Sequence, residues 1–67
     1  MSADTNRPLE RSLTLTSDEQ EILLDLLQQA LGDTRVEVHH THTPTYREKL
    51  IQHEATLRGL INRLRAL

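Results

Sequence analysis

From Ile22 to Leu31 the apolar residues Ile22, Leu23, Leu24, Leu26, Leu27, Ala30 and Leu31 recur with a helical period. At about 100° per residue they cover an arc of roughly 200°. A single neighbouring helix covers about half of such an arc. Helix 1 should therefore touch at least two elements, more than helix 2 of its own chain can supply. That requirement points to self-association.

The ends of this helix are marked in the sequence. Thr16-Ser17-Asp18-Glu19 has the form of a capping box, in which the Thr hydroxyl and the Glu carboxylate each take a backbone N–H that the first turn leaves unpaired. Asp18 and Glu19 also suit the positive end of the helix dipole. Gly32 follows Leu31 and is the expected C′ residue, so helix 1 is predicted from Ser17 for about four turns.

The period then changes. Over Arg35–Thr43, Val36, Val38, His40 and His42 alternate with Arg35, Glu37, His39 and Thr41, which predicts a short strand. Pro44 closes it. Thr45-Tyr46-Arg47-Glu48 reads as a second capping box, opening helix 2 from about Tyr46 to Leu67. The apolar seam expected there is Tyr46, Leu50, His53, Leu57, Leu60, Leu64 and Leu67, a heptad spacing with one polar intruder; Ile61 widens it. Gly59 lies off the seam and would suit a close backbone approach. Upstream, Leu9 to Thr16 alternates and allows a short N-terminal strand. Residues 1–8 read as a flexible tail, leaving 9–67 as one domain.

Composition narrows the ways such a domain can be stabilised. A 67-residue chain buries only roughly 60% of its unfolded surface and is marginal alone. It contains no Cys, which excludes disulfides and thiolate zinc sites. Oligomerisation or a histidine metal site remains. Tyr46 is the only Tyr, and there is no Phe or Trp, so the core is aliphatic. No apolar run reaches the ~20 residues of a membrane span, and Met1 to Arg7 lacks a signal-type stretch; a cytoplasmic protein is expected. Residues 1–44 carry three basic and eight acidic side chains, and residues 45–67 five basic and two acidic. Halves of opposite sign attract, within the chain or between chains.

The expected fold is mainly α: a helix–short strand–helix hairpin pairing into a four-helix-type homodimer, or a tetramer. The interface residues expected are Leu23, Leu27, Leu31, Leu50, His53, Leu57, Leu60 and Leu64. The function that follows is a non-enzymatic assembly module whose partner is itself, with no catalytic site, cofactor or membrane partner.

Two other classes deserve naming. On a strand His40 and His42 point the same way, the geometry by which His-x-His pairs hold zinc or copper. A strand over Arg11–Thr16 followed by a helix is similar to ribbon-helix-helix DNA-binding proteins. However, Ser12, Thr14 and Thr16 would face outward with little basic charge, so nucleic acid is not the expected partner.

The stretch Leu13-Thr14-Leu15-Thr16, with Glu19, Leu23, Leu24 and Leu27, then Arg35-Val36-Glu37-Val38 with Thr41, then Tyr46-Arg47 with Leu50, resembles a group of very small, uncharacterised bacterial proteins. The resemblance covers about residues 13–67. It implies a bacterial, cytoplasmic origin and a helix–strand–helix layout, and carries over no activity.

Overall fold

A computed structural model of the chain describes residues 10–67. Two helices fill most of that span: α1, Ser17–His40, and α2, Pro44–Arg65. Thr41, His42 and Thr43 join them, a connection short enough to set the helices antiparallel. The tail expected over residues 1–8, and Leu9, lie outside the described residues.

α1 starts as its sequence requires. The Thr16 side chain accepts a hydrogen bond from the Glu19 backbone N–H at 3.1 Å, and the Thr16 N–H donates to Glu19 Oε1 at 2.9 Å. Both halves of the capping box are formed.

α1 does not stop at Gly32. It continues to His40, 24 residues in all, so the strand expected over Arg35–Thr43 is not formed. Gly32 has no positive φ and acts as an ordinary helical residue. The reason is a stripe that runs through the alternating segment: Leu27, Ala30, Thr34, Val38 and Thr41 are all buried or half-buried, at spacings of three and four. β-branched residues cost only tenths of a kcal/mol in a helix. Packing this extended stripe against α2 outweighs that cost. Of the two valines that suggested a strand, Val38 lies half-buried and Val36 is exposed.

The start of α2 also differs from expectation. Thr43 is the N-cap and Pro44 the first helical residue, so Pro44 opens the helix rather than closing a strand. Proline fits this position because its fixed φ is helical and its missing N–H is not needed there. It also pushes the preceding residue into extended backbone; Thr43 has φ −82° and ψ 114°. The capping box expected at Thr45–Glu48 is not formed, since Thr45 already lies inside the helix. α2 ends at Arg65, with Ala66 as C-cap, two residues before the expected Leu67. Residues 10–16 form no strand; the N-terminal strand is not seen among the described residues.

The core lies along the line between the helices. Leu50, Leu57, Ile61 and Leu64 of α2 are buried, as is Thr34 of α1. Thr34 keeps its hydroxyl satisfied by donating to the Ala30 carbonyl at 2.8 Å. Leu23, Leu24, Leu27, Ala30 and Leu31 are half-buried against them. The open end of the hairpin is tied by the Gln20 side-chain amide, which donates to the Leu64 carbonyl at 2.6 Å. That carbonyl lies in the last turn of α2, where it also accepts from the Leu67 backbone N–H at 3.3 Å.

Candidate interaction surface

The hairpin measures 14 Å in its thinnest direction, little more than one helix with its side chains, about 10–12 Å. It is a single layer with two broad faces, and these differ in chemistry.

One face carries an ion cluster. Glu54 Oε2 lies 3.4 Å from Arg35 Nε, linking α2 to α1, and also pairs with Arg58 one turn on. Glu54 is half-buried beside Leu50 and Leu57 while both arginines are largely exposed. Such pairs contribute little each, up to about 1 kcal/mol.

The other face is apolar at the open end of the hairpin. A groove at its open end is lined by Leu13, Leu15, Leu23, Leu60, Leu64 and Leu67, with Arg11 and Arg63 at its edges. Leu26, three residues after Leu23, extends the same side of α1 and is 56% exposed. On α2, Tyr46, His53, Leu60 and Leu67 recur every seven residues and so share one line, and all four are exposed. At the closed end the Tyr46 hydroxyl donates to Glu37 Oε2 at 3.2 Å. The Glu37 charge beside the phenol, and the hydrogen bond lost on ionisation, raise the Tyr46 pKa above its ordinary 10.0.

The expected interface set therefore divides. Leu50, Leu57 and Leu64 are buried within the hairpin, and Leu23, Leu27 and Leu31 are half-buried there. His53 and Leu60 point outward. The α2 seam that meets α1 is Leu50, Glu54, Leu57, Ile61 and Leu64: it keeps the expected Leu50, Leu57 and Leu64 and the widening Ile61, and has Glu54 where His53 was expected. Spacing alone does not separate two adjacent heptad lines that are both mostly apolar. Gln20 was not singled out in the sequence, and its contact lies 44 residues away, beyond any local signal.

His40 is the last residue of α1, His42 lies in the linker, and both are exposed. The strand that would have aligned them is absent. Among the described residues no group of three or more His, Cys, Asp or Glu side chains is placed to hold a metal ion. No described helix is long and apolar enough to cross a membrane. Gly59, whose role the sequence leaves open, has open space where a Cβ would stand.

No protein-family model matches this chain, and neither a curated protein nor a solved structure matches it.

Proposed function

We propose that this protein is a non-enzymatic assembly module that works as a homodimer of helical hairpins, each covering the other's apolar face. The observation that carries this reading is the one-layer hairpin with Leu13, Leu26, Leu60 and Leu67 exposed together with the groove beside them. Contiguous apolar surface rimmed by polar groups is characteristic of interaction sites. Stacking two such layers gives a four-helix arrangement with a closed apolar centre.

A concentration series of thermal unfolding tests this. Folding coupled to association makes Tm rise with protein concentration. A Tm constant over a hundred-fold range would mean that the hairpin folds and stands alone.

A further inference from the structure

We infer that the second copy docks with its linker at the same end as the first, so that α1 of each chain lies over α2 of the other. This rests on the homodimer reading above, and charge complementarity chooses the orientation. α1 carries six acidic side chains and one basic, Arg35; α2 carries five basic and two acidic. Two stacked hairpins can be related by a two-fold axis parallel to the helices or by one running across them, within the layer. The parallel axis places α1 over α2 and makes every neighbouring pair opposite in charge. The crossing axis places acidic α1 on acidic α1. Isologous contacts repeat each pairing twice, which doubles the difference, and like-charge juxtaposition disfavours the wrong docking mode.

The heights agree as well. Within the hairpin, Gln20 is level with Leu64 and Glu37 with Tyr46, as their contacts show. A two-fold axis parallel to the helices keeps every residue at its own height. Glu19 then lies within a turn of Arg63 of the partner subunit. Asp33 and Glu37 lie within a turn of Lys49 of the partner subunit. Glu19, Asp33 and Glu37 share the helical side of Leu23 and Leu26, while Lys49 and Arg63 share that of Leu60, so these charges lie on the same face as the leucines. The acidic groups of one copy meet the basic groups of the other at matched levels along the bundle.

The absence of cysteine makes a cross-linking test direct. Thr43→Cys places a thiol in the linker, at an exposed residue whose side chain makes no cap hydrogen bond. Ser17→Cys places one at the other end of α1, about 36 Å away for 24 helical residues. Each variant is treated with a short bismaleimide, alone and after subunit exchange with the other. The same reaction on a Leu26→Asp background measures chance collision. The expected result is covalent dimer from each variant alone and only background linking of Thr43→Cys to Ser17→Cys. Linking of the mixed pair without self-linking would overturn the proposed orientation while leaving a dimer in place. Background yields in both reactions, with a monomer by sedimentation, would overturn the homodimer reading itself.

Discussion

Replacing Leu26 by alanine separates a free hairpin from an associated one. Leu26 is 56% exposed on α1, and alanine is the better helix former, so an isolated hairpin should keep its stability to within about 0.5 kcal/mol. In a homodimer the same side chain leaves water. Full burial of a leucine is worth about 1.5–3 kcal/mol. Roughly half of that remains to be gained at this site, and alanine forfeits about three quarters of the gain, or about 0.6–1.3 kcal/mol per chain. A two-fold interface counts it twice, about 1.3–2.5 kcal/mol, which weakens the dimer roughly 10- to 70-fold. Sedimentation equilibrium over a concentration series reads this ratio directly, with helical circular dichroism at concentrations that saturate the dimer as the check that the variant still folds. An unchanged dimer constant would refute the placement of Leu26 at the interface. Loss of helix at all concentrations would refute the claim that its exposed position is dispensable to the hairpin.

Gly32→Ala and Gly59→Ala should each stabilise the protein by about 1 kcal/mol in urea unfolding, because both sit in helix interiors with open space at the Cβ position; destabilisation at Gly32 would argue that α1 ends there. Tyr46 should ionise above its ordinary pKa because of Glu37. Its folded value being the higher one, the linked stability is complete below about pH 10 and declines as pH rises through the folded pKa. As the only Tyr in a chain without Trp, it can be titrated by near-ultraviolet absorbance, and Glu37→Gln should bring the midpoint back down. His53→Leu should tighten the dimer, since it fills the one polar position in the exposed line of Tyr46, Leu60 and Leu67; equal or weaker association by sedimentation would place His53 outside the interface.

How much of this was legible in the sequence differs from one part to the next. The start of α1 was legible down to individual hydrogen bonds, because a capping box is a local device whose partners are three residues apart. The antiparallel pair of helices was legible from the two runs of helical period. The last turns of α1 were not. Thr34, Val38 and Thr41 continue the inner stripe, but two of them are polar and all three are β-branched, so the alternation of Val36 and Val38 stood out instead. Only α2 lying alongside makes the helical choice favourable. Pro44 was read as a stop where it serves as a start; both uses follow from its missing N–H, and the neighbouring Thr residues allow either. In α2 the line of Leu50, Leu57 and Leu64, with Ile61 beside it, was legible from the spacing; His53 and Leu60 turn outward, and Glu54 takes the remaining inner place. The carboxylate on the inner line is half-buried and paired by Arg58 one turn on, a local pair, and by Arg35 from α1, a tertiary one.

The mass of the particle in solution tests the central claim most directly. Light scattering on the eluted peak at tens of micromolar should give twice the 7.7 kDa chain mass, about 15.4 kDa, with dilution lowering the mass and the helical signal together. A 7.7 kDa particle that keeps its helical signal on dilution would contradict it, for the apolar face of Leu26, Leu60 and Leu67 would then be stable in water without a second copy.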